Sequence, residues 1–254
     1  MRLVYVNGEF VSEEAARVSV FDRGFLFGDG VYEVSSVLDG KLIDNPAHLA
    51  RLDRSLAALS LPRPASDAEI LAIQRKLIAK NDLTEGVVYL QVTRGPADRS
   101  FDWPERPEPS LVMFTQAKAI RSNPKAEEGV AVVTLPDLRW RRRDIKTINL
   151  LPASWAKHLA AAQGADDTWM VEDGLVTEGS SNNAFIVKDG VVRTRALSED
   201  ILHGITRAAT LKLAAETGAR LEERAFSVAE AQGADEAFVT SASAFVTPVV
   251  RIDG

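Results

Sequence analysis

The chain has 254 residues, enough for one large domain or two small ones around a packed core. It has no cysteine, only three scattered histidines (His48, His158 and His203) and a formal net charge of −6. That excludes a disulfide framework and a thiol nucleophile, and argues against a metal site and against a nucleic-acid or anionic-membrane surface. The N-terminus lacks the basic-then-apolar pattern of a signal peptide, and no apolar run approaches a membrane span, so a cytoplasmic protein is expected.

Residues 2–11 read as a hairpin closed by Asn7-Gly8, a pair that supplies the two positive φ angles of a tight turn. Gly28 and Gly30 then bracket Asp29 before a strand from Val31, without the third glycine or the helix of a dinucleotide loop. On that strand Tyr32 and Val34 share one face, Glu33 lies on the other, and Asp39-Gly40 ends it in a second tight turn. Asn45-Pro46 is a cap followed by proline at the first helical position, opening a helix striped by Leu49, Leu52, Leu56 and Leu59, with Arg51 beside the stripe. Ser66 and Glu69 form a capping box for a second helix carrying Ile70, Ile73, Leu77 and Ile78. Strands at 87–94 and 111–115 flank a loop, 95–104, with Arg99 and Phe101 near its tip. The pattern lapses over 118–125, so domains are expected at 1–117 and 123–254, joined by a linker at 118–122.

The second half opens with a strand at 130–134 and a basic run from Arg139 to Arg143. Such a run is usually a solvated face, but four arginines beside a lysine can also lower its pKa or attract an anion. Residues 143–151 read as a strand with Lys146, Ile148 and Leu150 on one face. An ammonium on an apolar face is costly unless it is paired or gives up its proton, and a lysine held neutral is a nucleophile for carbonyls. The alternative is a buried stem whose head reaches water. A helix over 152–163, a strand over 169–172, the turn Asp173-Gly174 and the run Leu175–Val187 follow, with Glu178 where apolar residues give way to small polar ones. A carboxylate buried there needs a cationic partner, unless it only caps neighbouring N–H groups. Asp189-Gly190 turns another hairpin. Gly204 precedes a helix through residue 217, where the N–H groups of Ile205 and Thr206, with the Thr206 hydroxyl, form either an anion seat or an ordinary cap. Ser227 and Glu230 form a second capping box, and strands at 236–240 and 246–252 enclose Ser241, Ala242 and Ser243.

Six stretches, Phe21–Val34, His48–Leu56, Asp144–Leu151, Val176–Val187, Ile201–Arg207 and Phe238–Ser243, resemble in order and spacing a fold-type IV (class IV) pyridoxal-phosphate aminotransferase. The resemblance runs from about residue 3 to 253, and Asp144–Leu151 with Gly28–Val34 is most similar to the D-amino acid transaminases. It implies an α+β architecture: a small N-terminal α/β domain and a larger C-terminal pseudo-barrel α/β domain, with the cofactor in the cleft between them. It also implies a homodimer acting on a small amino acid and a 2-oxo acid.

The resemblance assigns roles as well. Lys146 would hold pyridoxal 5'-phosphate as a Schiff base and move the proton at the substrate Cα; Glu178 would keep the pyridine nitrogen protonated. Arg51, with the backbone of Ile205 and Thr206, would seat the phosphate, and Gly204, Ser241 and Ala242 would complete that seat. Leu202 would pack on the ring, and Ser180, Ser181 and Asn182 would line its back. Tyr32, and Arg99 of the partner subunit, would hold the substrate carboxylate. Phe101 stands where D-amino acid transaminases carry a histidine, Ala242 where a threonine often adds a hydroxyl, and the chain stops at Asp253-Gly254 where relatives usually continue. The implied reaction is ping-pong transfer from a D-amino acid to a 2-oxo acid, of the D-alanine/2-oxoglutarate type. Branched-chain L-amino acid or (R)-amine transamination, aminodeoxychorismate cleavage and a non-catalytic binding module are the rivals.

Overall fold

The computed structural model describes Met1–Gly254, in two compact units. The first comprises Met1–Ile120 with Ile145–Asn149, and the second Arg121–Asp144 with Leu150–Gly254. Chain order would place Lys146 in the second domain, but its short segment belongs by contact to the first unit.

The first unit is built from β1 (Leu3–Val6), β2 (Glu9–Ser12), α1 (Arg23–Phe27), β3 (Gly30–Leu38), β4 (Lys41–Leu42), α2 (Asn45–Ala58), α3 (Asp67–Lys80), β5 (Glu85–Thr93) and β6 (Ser110–Ala117). Its sheet is antiparallel throughout, in the order β2-β1-β6-β5-β3-β4. Asn7-Gly8 and Asp39-Gly40 close their hairpins with positive φ at both residues, and the Ser66–Glu69 capping box is present. The start of α2 differs from expectation by one residue. Asp44, at φ 52°, is the cap, without a side-chain bond. Asn45 is instead buried, donating to Gln74 Oε1 at 2.9 Å and accepting from Ser35 Oγ at 3.1 Å. Leu49, Leu52 and Leu56 pack with Ile70 and Leu77 on Val31, Leu90, Val92 and Met113. That core fixes which face of β3 is buried, and so where Glu33 and Tyr32 point.

The segment around Lys146 is no regular strand. One bridge joins Thr147 to Val31, and Tyr32 and Ile148 donate their N–H groups to Lys146 O and Gly30 O. The alternation survives with its sense reversed: Ile145 and Thr147 are buried, and Lys146 and Ile148 face the partly open side.

The second unit contains α4 (Lys125–Glu128), β7 (Val130–Pro136), α5 (Leu151–Ala162), β8 (Asp167–Glu172), β9 (Leu175–Gly179), β10 (Asn183–Lys188), β11 (Val191–Thr194), α6 (Ile205–Glu216), β12 (Arg220–Glu223), α7 (Val228–Gln232), β13 (Glu236–Ser241) and β14 (Phe245–Ile252). Its sheet mixes parallel and antiparallel pairs in the order β12-β11-β10-β13-β14-β7-β8-β9. The edge strand β9 leads directly into β10 and packs beside it, so the sheet curls into a half-barrel. Trp169, Val176, Ile186 and Phe226 fill its core. No helix is long and apolar enough to cross a membrane.

Candidate active site

In the first unit Lys146 sits with its ammonium 4.2 Å from the centre of the Tyr32 ring. Only its backbone ties it down, through Tyr32 N–H and through Ser55 Oγ at 3.3 Å from its own N–H. The Tyr32 ring stacks on Tyr89, and Tyr89 on Phe114. Burial pushes the Tyr89 phenol up, so it stays neutral.

Behind Tyr32, on the opposite face of β3, lies a buried charge cluster that sequence reading did not find. Glu33 accepts from Arg51 Nε and Nη2, both at 2.7 Å, and meets His48 Nδ1 at 2.7 Å. All three residues are at most 4% exposed. Burial alone would raise the Glu33 carboxyl, but hydrogen bonds from Arg51 and His48, with the charges of Arg51 and Lys146, bring it down from 4.5 to about 2.

The sign of that shift sets a pH dependence. The folded value lies below the unfolded one, so the stabilisation is present above pH about 4.5 and is lost as pH falls toward about 2. It is worth about 3 kcal/mol. Glu33→Gln is expected to flatten the acid limb of the urea midpoint plotted against pH, and to lower the midpoint near neutrality because Arg51 loses its counter-charge. An acid limb identical to the parent's would remove Glu33 as its source.

Arg99 and Phe101 lie together in the exposed loop after β5. The Arg99 guanidinium is 5.6 Å from the Phe27 ring and 5.9 Å from the Phe101 ring, and Phe101 is 83% exposed. Phe101 also meets Phe27 edge-on at 5.6 Å.

In the second unit the centre is Glu178, at the end of β9 and 3% exposed. It accepts from Arg139 Nη1 at 2.6 Å, from Asn183 Nδ2 at 2.9 Å and from the Leu202 N–H at 3.1 and 3.2 Å. It therefore has both the cationic partner and the backbone cap that the sequence left as alternatives. Burial pushes its carboxyl up, and Arg139 is the strongest influence against that rise. Asn183, which also donates to Leu202 O, was not anticipated; its place in the run of small polar residues was the available signal. Asn182 Nδ2 bonds Asp167 at 2.8 Å, Ser180 Oγ bonds the same carboxylate, and Ser181 is exposed. Gly204 caps α6 without a side-chain oxygen. A Cβ there would lie 2.0 Å from Asn183 Oδ1, so a larger residue would push the Asn183 amide off its place beside Glu178. The helix keeps first-turn N–H groups that no side chain caps, an arrangement suited to an anion.

This chemistry matches the group that the resemblance implies. An ionised carboxylate offers about four lone-pair sites. Three donors hold Glu178, and one of them, the Leu202 N–H, is shared between its two oxygens, so a ring N–H would displace or share that long bifurcated contact. The start of α6 suits a phosphate, and Lys146 supplies a primary amine free of any hydrogen-bonded carboxylate.

Comparison with known proteins agrees with the folded chain. The model of the family "Amino-transferase class IV" matches residues 30–252. A D-alanine aminotransferase of Staphylococcus aureus (strain MSSA476) is 41% identical over 255 residues, covering 100% of this chain and 90% of that protein. A branched-chain amino acid aminotransferase of Escherichia coli superposes with a TM-score of 0.91 at 26% identity, covering 100% of this chain and 87% of that one. A branched-chain aminotransferase of the archaeon Thermoproteus uzoniensis, solved with norvaline, gives 0.90 at 27% identity, covering 100% and 88%. The match of sequence and fold over essentially the whole length places this chain in the class IV aminotransferases, with the fold-type IV architecture.

Proposed function

We propose that this enzyme uses pyridoxal 5'-phosphate to move an amino group from a D-amino acid to a 2-oxo acid, D-alanine and 2-oxoglutarate being the model pair. The observation that carries the reading is the 41% identity to a D-alanine aminotransferase over the whole chain, against 26% to the branched-chain enzyme of nearly identical fold. Bound pyridoxal phosphate would supply an electron sink for the pair released when the substrate Cα–H bond breaks.

The protein's own groups do the rest. Lys146 would hold the cofactor and would take and return the proton at the substrate Cα. Glu178 accepts the pyridine N–H and keeps it protonated. Arg51, the N–H groups of Ile205 and Thr206, Gly204, Ser241 and Ala242 hold the phosphate. Leu202 would pack on the ring, and Ser180, Ser181 and Asn182 would line its back. Tyr32 and Arg99 of the partner subunit hold the substrate carboxylate, with Phe101 beside them in place of a polar donor. The enzyme works as a homodimer in the cytoplasm, in domains divided at residues 118–122.

Pyruvate formation from D-alanine and 2-oxoglutarate tests the assignment. Turnover with L-leucine but not with D-alanine would replace it by the branched-chain reading, and D-alanine turnover would also exclude the lyase and binding-module readings. Arg99→Ala is expected to raise KM for amino acids roughly 10- to 150-fold, the worth of charged hydrogen bonds, with little change for neutral amines. Equal changes for both would show that the carboxylate is held elsewhere.

A further inference from the structure

The basic run from Arg139 to Arg143 divides: Arg141 is solvated, with its side chain 85% exposed, while Arg139 and Arg143 turn inward. Its arginines face acids: Arg139 meets Asp137 and Glu178, Arg141 meets Glu172, Arg142 meets Asp144 and Glu199, and Arg143 meets Asp137 and Glu172. Charges alternate inward from the partly exposed Glu172 through Arg143, Asp137 and Arg139 to Glu178. The Asp137 side chain is wholly buried, and that of Arg143 is 1% exposed.

Ion pairs this deep add little stability compared with apolar residues of the same volume. What they give is direction. Asp137 grips Arg139 two-pronged, through Nε at 3.0 Å and Nη2 at 2.7 Å. Asp137 is itself held by Thr177 Oγ1 at 2.7 Å, and Arg143 Nε lies 3.3 Å away. A planar guanidinium fixed along one edge has its remaining N–H vectors fixed too. One of them, from Nη1, ends on Glu178 Oε1 at 2.6 Å. Asn183 Nδ2 and the Leu202 N–H constrain the carboxylate from other sides.

We propose that Arg139, locked by Asp137, is a positioning residue: it fixes the orientation in which the Glu178 carboxylate meets the pyridine N–H. The inference rests on the cofactor reading above. It adds Arg139 and Asp137, whose contacts are with protein side chains.

The test uses holoenzyme loaded with 15N-labelled pyridoxal phosphate, reading the ring-nitrogen shift by NMR beside kcat and KM. The parent is expected to show a protonated ring nitrogen. In Arg139→Gln the signal moves toward the unprotonated position, and kcat falls roughly 10- to 100-fold, the usual cost of losing an outer partner of a site ligand. KM for the amino acid stays nearly constant, and borohydride still traps the cofactor on Lys146. Arg139→Lys, which keeps the charge but loses the fork, falls between the two. A folded, loaded Arg139→Gln protein with the parent's shift and kcat overturns the proposal. If that variant does not fold, Asp137→Asn decides: it leaves the Arg139–Glu178 pair and loosens the lock, along with the Asp137–Arg143 contact, so a smaller change of the same sign supports the proposal and no change overturns it. An unprotonated nitrogen in the parent itself would sink the Glu178 assignment, a result separable from failure at Arg139.

Discussion

Lys146→Ala is expected to lose transamination by a factor on the order of 10⁴ or more, while the protein folds as before. The loss has two sources. The covalent tether disappears, and with it the base that moves the Cα proton, which alone contributes typically ~10²–10⁴-fold. The fold is spared because the segment is held by its backbone. Tyr32 N–H still donates to the carbonyl of residue 146, Ile148 N–H to Gly30 O, and Ser55 Oγ still accepts the N–H of residue 146. The ammonium contact with the Tyr32 ring is removed, worth about 0.5–1 kcal/mol at a partly exposed site, and with it the smallest of the influences that lower the Glu33 carboxyl. The check is borohydride reduction of cofactor-loaded protein followed by peptide mass analysis. The parent should carry the added mass on Lys146 and the variant should carry none. A trapped adduct on another lysine, with activity retained, would end the assignment.

The parts of the fold that were legible in the sequence are those set by neighbours in the chain. Asn7-Gly8, Asp39-Gly40, Asp173-Gly174 and Asp189-Gly190 each turn a hairpin with positive φ at both positions, because those residue pairs tolerate φ values that others do not. Both Ser-x-x-Glu boxes cap helices for the same local reason. Long-range partners were not legible. Arg51 lies 18 residues from Glu33, and Arg139 lies 39 from Glu178. Which carboxylate each arginine meets depends on how strands and helices pack, and no periodicity encodes that. The same limit explains why Asn45 is not the cap: tertiary contacts with Gln74 and Ser35 draw it inward, and Asp44 takes the position. It also explains Lys146, where the sheet edge at β3 decides which face is buried.

Glu178→Gln is the second large effect, and it separates catalysis from stability. The amide oxygen can still accept from a ring N–H, but without charge it no longer keeps that nitrogen protonated. The lost charge-assisted bond is worth about 1.5–3 kcal/mol, so kcat should fall roughly 10- to 150-fold, and further where charge builds up in the transition state. Stability should move the other way. Burial raises the Glu178 carboxyl, so the folded protein disfavours the ionised form relative to the unfolded chain. The penalty is absent at acid pH and grows as pH rises above the ordinary carboxylate value. A neutral glutamine does not carry it, and Arg139 is not orphaned, because Asp137 keeps two of its N–H groups. The cofactor-free variant is therefore expected to melt, near neutral pH, at or above the parent's temperature while its holoenzyme turns over slowly. A variant that is both clearly less stable and fully active would mean that Glu178 serves the half-barrel's packing and not the ring nitrogen.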